Sequence, residues 1–360
     1  MRPNGDMLRL ARQLRGLQQS ETARRLGIEQ PTLSRVENGM VEFREDILVR
    51  AAATFDLPKS FFYQTDPIYG APVSVHPMWR KKADVSVREM DRVVAELNVR
   101  TMHLRRMLEG ADVSHSSDLP KMDVEEYGSP EKIAGVLRAH WRLPRGPIRD
   151  LTLCVEKAGV IVAHSALGGA SISGVTFASP GLPPLIVLNS DQPADRMRFT
   201  LAHELGHLVM HRFPNPNMEE EANQFASSLL LPGADVRPYF VGRKIDLTLL
   251  ASLKPEWKVS MAALLMAAVK LGFLTENQKH YLWKQMSAKG YRLREPPETE
   301  FPREQPTVLH SLIDVHHKGL GYSPEELASL LNMTLGGLRE LYPLNDNGNG
   351  QARPKLTLLK

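Results

Sequence analysis

Residues 200–211 read TLAHELGHLVMH and contain an H-E-x-x-H pattern formed by His203, Glu204 and His207. On an α-helix, residues four apart lie on one face about 6 Å apart along the axis, so both imidazoles can reach a single ion. Glu204 would lie beside them, where its carboxylate can take a proton from a water molecule polarised by that ion. Because this short pattern also arises by chance, it needs a third ligand and a suitable scaffold to support it.

A catalytic zinc site uses three protein ligands and keeps one position open for water. His211 is a poor third ligand, because on a straight helix it lies about 12 Å along the axis from His203. A better source is the acidic cluster at 219–221, which opens a second stretch with apolar residues at helical spacing. The residues alone leave open which of these three glutamates is the ligand, or whether all three are solvated.

The sequence before the H-E-x-x-H segment predicts a mixed region of helices and short strands. Helices are expected at 130–143 and 147–158, followed by strands near 160–164, 172–177 and 185–189. Three strands beside an active helix are a common arrangement in zinc peptidases, where an extended peptide adds to the edge strand next to the metal.

Two segments together resemble the ImmA/IrrE family of zinc metallo-endopeptidases. They are LAHELGH at 201–207 and E-x-x-A-N-x-F-A-x-x-L-L-x-P at 219–232. The resemblance implies that Glu219 is the third Zn²⁺ ligand, as in gluzincin peptidases, and that Asn223 orients one of the histidines. It also implies that Glu204 is the general base and that the substrate is a transcriptional repressor.

The first 65 residues predict four short helices with a tight glycine turn, the spacing of a helix-turn-helix. Residues 17–39, LQQSETARRLGIEQPTLSRVENG, resemble the XRE-type (phage-repressor-like) DNA-binding domain. The resemblance implies that Gln19 contacts a phosphate or a neighbouring base. It also implies that Gln30, Thr32 and Arg35 project from the recognition helix into the major groove.

Double-stranded DNA is therefore an expected partner. Arginine pairs with guanine and glutamine with adenine, so the residue types suit base contacts. A single domain of this kind usually needs a partner copy to bind tightly, which implies a homodimer. The alternative is a protein-interaction module with a merely solvated polar face, because this face is not very basic.

The composition sets limits on the class of protein. The 360 residues are 42% hydrophobic and 24% charged, which is ordinary for a soluble globular protein. No apolar run reaches the length of a membrane span, and the N-terminal MRPNGD lacks the apolar core of a signal peptide. A single cysteine, Cys154, fits a reducing cytoplasm, and the net charge of +4 permits DNA binding without demonstrating it.

The predicted fold is mainly α with a small sheet (α+β), and the chain divides into five predicted segments. These are an all-α XRE-type domain (1–65), a linker and long helix (66–128), a zincin-like α+β peptidase domain with about three strands (129–295), a C-terminal helical unit (296–342) and a disordered tail (343–360).

Two functional hypotheses follow. The first is a DNA-binding regulator that is also a zinc-dependent endopeptidase and cleaves a repressor or a similar regulatory protein. The alternative is a DNA-binding transcriptional regulator whose metal site is structural or sensory. A structural zinc site lacks an open position, and Glu204 would have no task in that case. For the group that stabilises the oxyanion, the sequence offers only His164 and His211 as candidates.

Overall fold

The computed structural model is mainly helical and describes residues 2–70, 86–113, 117–167, 172–342 and 356–358. Residues 71–85 of the predicted linker, and 343–355 and 359–360 of the predicted tail, lie outside the described residues. The α-helices are α1 (Gly5–Leu14), α2 (Gln19–Leu26), α3 (Gln30–Glu37), α4 (Glu45–Phe55), α5 (Val87–Gly110), α6 (Val124–Tyr127), α7 (Pro130–His140), α8 (Leu151–Lys157), α9 (Ala194–Met210), α10 (Met218–Leu230), α11 (Gly233–Val236), α12 (Leu247–Trp257), α13 (Met261–Lys270), α14 (Glu276–Ala288), α15 (Val308–Asp314), α16 (Pro324–Leu330) and α17 (Leu335–Leu341).

The strands form one small mixed sheet and one short ribbon. They are β1 (Ala111–Val113), β2 (Ile161–Ser165), β3 (Gly174–Phe177), β4 (Leu185–Asn189) and β5 (Leu356–Leu358). The sheet has the order β2-β4-β3, with β4 parallel to β2 and antiparallel to β3. The ribbon pairs β1 with β5 antiparallel. The predicted mainly α fold with a small three-stranded sheet is confirmed.

The sheet separates two hydrophobic cores, because successive side chains of a strand point to opposite faces. On β2, Ile161 and Ala163 belong to one core and Val162 to the other. On β4, Val187 and Ile186 are divided in the same way. The core that contains Val162 and Ile186 also contains the apolar residues of α9, so this face of the sheet supports the H-E-x-x-H helix.

The other face of the sheet belongs to a core that crosses several predicted segments. This core combines residues of α1–α4, of the long helix α5 and of α15–α17. The helix-turn-helix region therefore packs through α5 and the C-terminal helices toward the sheet that supports α9. The domain boundaries drawn from the sequence stay predictions.

A buried polar cluster connects α5 to the end of α17. Tyr342 lies 2.9 Å from His103 Nδ1 through its hydroxyl, and the Arg100 guanidinium lies over the Tyr342 ring at 5.4 Å. Arg100 also forms an ion pair of 2.8 Å with Glu96 one turn earlier on α5. Burial, together with the charges of Arg106 and Arg100, lowers the pKa of His103 to about 3.

His103 makes the stability of the protein depend on pH. Its pKa is lower in the folded chain than the ordinary value of about 6.5, so unfolding takes up a proton below that value and stability falls as pH falls toward 3. Between pH 7 and pH 5 this one group should remove about 2 kcal/mol from the free energy of unfolding. Urea titrations at pH 7 and pH 5 measure this change in the free energy of unfolding. The fall should be smaller by this amount in His103→Gln than in the wild type. An equal fall in both proteins would contradict the assignment.

Candidate functional site

Close packing of two helices builds the candidate site. His203, Glu204 and His207 lie on α9 and are 7%, 2% and 4% exposed. A Cβ added to Gly206, on the same helix, would lie 3.0 Å from a ring carbon of Phe225 and 3.4 Å from Ala222 Cα, both on α10. The absence of a side chain at residue 206 therefore lets α10 approach α9 closely enough to bring its first turn over the histidines.

Three side chains converge on one point between these helices. The Nε2 atoms of His203 and His207 lie 3.1 Å apart. Glu219, in the first turn of α10, places Oε2 3.5 Å from the first of these nitrogens and Oε1 3.3 Å from the second. The three ligand atoms all lie within 4.8 Å of one another, so one ion can contact all of them.

The electrostatics of this group fit a cation. Glu219 Oε1 is buried and makes no hydrogen bond within the described part of the chain. Burial opposes ionisation of Glu219, but the closely approaching rings of His203 and His207 lower its pKa to about 2. An ionised carboxylate and two imidazole nitrogens that face the same point are the donor set of a divalent metal site.

The structure separates the three acidic residues that the sequence left as alternatives. Glu220 is exposed and accepts a hydrogen bond from Gln224 at 3.2 Å. Glu221 lies 2.9 Å from His211 Nε2 and accepts a bond from Asn215. Only Glu219, among these three, faces the histidine pair.

An outer layer of side chains orients the two imidazoles. Asn223 Oδ1 lies 3.0 Å from His203 Nδ1, so an N–H at Nδ1 leaves Nε2 with its lone pair toward the centre. His211 Nδ1 lies 3.0 Å from His207 Nδ1, and the far side of the His211 ring contacts Glu221. A neutral His211 that donates to Glu221 can accept from His207, which directs the lone pair of His207 Nε2 to the centre as well. His211 caps the end of α9 and does not belong to the group of three.

Strand β3 supplies a contact that the sequence analysis missed. Thr176 Oγ1 donates a hydrogen bond of 2.6 Å to Glu204 Oε2. A Cβ added to Gly174 would lie 2.5 Å from Thr200 Cγ2 on α9, so the glycine lets this strand lie close to the helix. The sequence of β3 contained a signal for this contact. Val175 and Phe177 are apolar and face one side of the strand, so Thr176 between them faces the other side.

The two candidates for oxyanion stabilisation lie away from Glu204. His164 is on β2, separated from β3 by the central strand β4, and burial lowers its pKa to about 4. His211 is bound between His207 and Glu221.

A cleft of about 770 Å³ opens next to His211 at the C-terminal end of α9, and its wall includes Phe213, which is 80% exposed.

The proposed DNA-contact residues lie in the helix-turn-helix region. Gln30 and Arg35 are exposed on α3, and Thr32 is half-buried on the same helix. Gln19, at the first position of α2, donates a bond of 2.8 Å to Glu37. The carboxylate of Glu37 is 1% exposed and also receives two bonds from the guanidinium of Arg12, at 2.7 and 2.9 Å.

This ion pair has a direct consequence for the geometry of the DNA-binding region. The carboxylate of Glu37, at the end of α3, is shared by Arg12 on α1 and Gln19 on α2. Between α2 and α3, Gly27 has a φ of 61°, a backbone conformation that favours glycine. The shared carboxylate and the tight turn together set α3 against the other two helices.

Comparison with known families agrees with these two regions. Residues 155–268 match the family model of the IrrE N-terminal-like domain, a peptidase M78 family. Residues 8–62 match a helix-turn-helix family model. The chain therefore resembles an IrrE-like peptidase domain over the first range and an XRE-type helix-turn-helix domain over the second. Both resemblances drawn from the sequence are thereby confirmed.

No curated protein is similar enough to the chain to count as a match. Within the described residues, none of the helices combines the length and the apolar composition needed to cross a membrane.

The geometry predicts which glutamate holds the metal. Glu219→Ala should lower the affinity of the IrrE-like domain for a divalent metal at least about a hundredfold, because it removes one of three converging ligands. Glu220→Ala is the matched control, since it removes a neighbouring exposed carboxylate, and should bind metal like the wild type. Calorimetric titration of the metal-free proteins with Zn²⁺ measures both. Comparable losses in the two variants would show that the acidic cluster acts only through its overall charge.

Proposed function

We propose that the chain is a DNA-binding regulator and a zinc-dependent endopeptidase that cleaves a transcriptional repressor or a similar regulatory protein. The observation that carries the proposal is the convergence of His203, His207 and Glu219 on one point, with Glu204 beside them on the same helix. The match of residues 155–268 to an IrrE-like peptidase family supports a peptidase in place of another metal-dependent activity.

The donor set suits zinc. Two neutral imidazoles and one carboxylate match the ligands of many catalytic zinc sites, and such sites keep a further position open for water or substrate. We assign His203, His207 and Glu219 as the ligands, with Asn223 orienting His203. When bound, zinc polarises the substrate carbonyl and makes a water molecule more acidic.

Glu204 performs the proton transfers in this proposal. Its carboxylate accepts a proton from the attacking water and later gives that proton to the leaving amine. The hydrogen bond from Thr176 occupies Oε2, and within the described residues no hydrogen bond is made by Oε1. That second oxygen is therefore available to the water.

The edge of the sheet provides a place for the substrate. β3 is an outer strand of the order β2-β4-β3, and it lies along α9 next to Glu204. An extended peptide can add to such an edge through main-chain hydrogen bonds, which bind many sequences without selecting side chains. A peptide on β3 would have a carbonyl group next to the proposed zinc site.

The N-terminal domain gives the chain a second activity in this proposal. Arg35 and Gln30 are exposed on α3, the helix that enters the major groove in helix-turn-helix proteins. We propose double-stranded DNA as the partner of this face, and binding as a homodimer because one domain offers few contacts. The protein substrate is a separate partner, bound at β3.

Glu204→Gln separates the peptidase from a regulator with a structural or sensory metal. The substitution keeps the shape of the side chain but removes its ability to accept a proton. Incubation of the zinc-loaded protein with the repressor encoded beside its gene should yield defined fragments, and the variant should lose this cleavage by at least about a hundredfold. The variant should still contain zinc, because Glu204 is not one of the ligands. Undiminished cleavage by the variant would rule out the mechanism, and no cleavage by the wild type would favour the regulator.

Arg35→Ala tests the DNA-binding half. A gel shift on the promoter of the chain's own gene should show weaker binding, with a loss of about 1–3 kcal/mol if Arg35 reads a base. The matched control is Arg145→Ala, because Arg145 is an exposed arginine outside the helix-turn-helix region. A normal shift in the Arg35 variant would sink the assignment of α3 as the reading helix.

A further inference from the structure

We infer that Thr176 is a positioning residue that connects substrate register to the general base. Its hydroxyl orients Glu204, while its main chain pairs with the bound peptide. This inference rests on the proposed function and adds a role that neither the H-E-x-x-H motif nor the three converging ligands assign.

The side-chain half of the inference rests on a short buried hydrogen bond. Thr176 Oγ1 lies 2.6 Å from Glu204 Oε2, and the two residues are 7% and 2% exposed. A hydrogen bond to a charged acceptor is stronger than one between neutral groups, and burial removes competing water. The bond therefore fixes the plane of the carboxylate and turns its other oxygen toward the reacting water.

The main-chain half follows from the hydrogen-bond pattern of the sheet. The Asn189 N–H donates to the carbonyl of Ser173 at 2.9 Å, and the register places these two residues opposite each other. In an antiparallel pair, hydrogen-bonded and non-bonded positions alternate, so Val175 and Phe177 also direct their polar groups toward β4. The N–H and C=O of Gly174 and Thr176 then point to the outer edge of the sheet.

These two halves meet in one residue. A peptide on the outer edge pairs with the main chain of Thr176, whose side chain holds Glu204 on the helix face of the sheet. The distance between the substrate's peptide group and the Glu204 carboxylate is thus fixed by Thr176 alone, since no loop lies between the two contacts. A displacement of about 1 Å between reacting groups can cost about a hundredfold in rate, so this coupling has a large effect on turnover.

The test compares Thr176→Val with Thr176→Ser in the zinc-loaded full chain, with the purified neighbouring repressor as substrate. Valine keeps the shape and the main chain of threonine but lacks the hydroxyl. We expect kcat to fall about tenfold to a hundredfold with KM changed less than about threefold, because the peptide still pairs with β3. Serine restores the hydroxyl and should return kcat to within about threefold of the wild type.

Two controls distinguish positioning from a structural role. Zinc content should be the same in all variants and in the wild type, because Thr176 is not a ligand, and circular dichroism should show that each variant is folded. Thr200 on α9 is also 7% exposed and directs its Cγ2 toward β3; Thr200→Val removes its hydroxyl and should leave kcat unchanged.

The outcomes separate the two proposals. A wild type that cleaves, together with a folded Thr176→Val of unchanged kcat, overturns the inference and leaves the proposed function intact. A wild type that does not cleave overturns both. If the valine variant does not fold, the serine variant decides, since loss of kcat in a folded Thr176→Ser contradicts a role for the hydroxyl.

Discussion

The structure depends on the close contact between α9 and α10, which holds two imidazole nitrogens and a carboxylate against one point. His203 Nε2 and His207 Nε2 lie 3.1 Å apart, and two lone pairs at that distance repel each other unless a proton or a cation lies between them. The contact exists because Gly206 presents no side chain to Phe225. A packing feature of two apolar helices thereby creates a polar site with a strong preference for positive charge.

The surrounding side chains turn this convergence into a rigid arrangement. Asn223 orients the imidazole of His203, while His211 and Glu221 orient that of His207. Each ring therefore directs its Nε2 atom toward the shared point between the helices. Glu204 is held from the opposite side, by Thr176 on the sheet. In the proposed function, the helix pair would thus supply the metal ligands and the strand would orient the general base.

The sheet also joins the two regions that the family models match. One face supports α9, and the other belongs to the core that includes the helix-turn-helix region, α5 and the C-terminal helices. The buried cluster of Arg100, His103 and Tyr342 lies in that second core. The helix-turn-helix region and the IrrE-like region are therefore packed together across a sheet of three strands. Each of the two cores includes residues of this sheet.

The sequence by itself determined the parts whose signals are local. Helical spacing placed His203 and His207 on one face with Glu204 beside them, the glycine turn at Gly27 indicated the helix-turn-helix, and short apolar runs indicated the three strands. The residues alone left three adjacent glutamates open and the family resemblance favoured Glu219; the tertiary structure brings Glu219, alone among these three, to the histidines, because this depends on how α10 crosses α9. It also revealed Thr176, far from Glu204 in sequence, and the shared core of the terminal regions. Such contacts depend on packing between distant segments, which short-range periodicity does not encode.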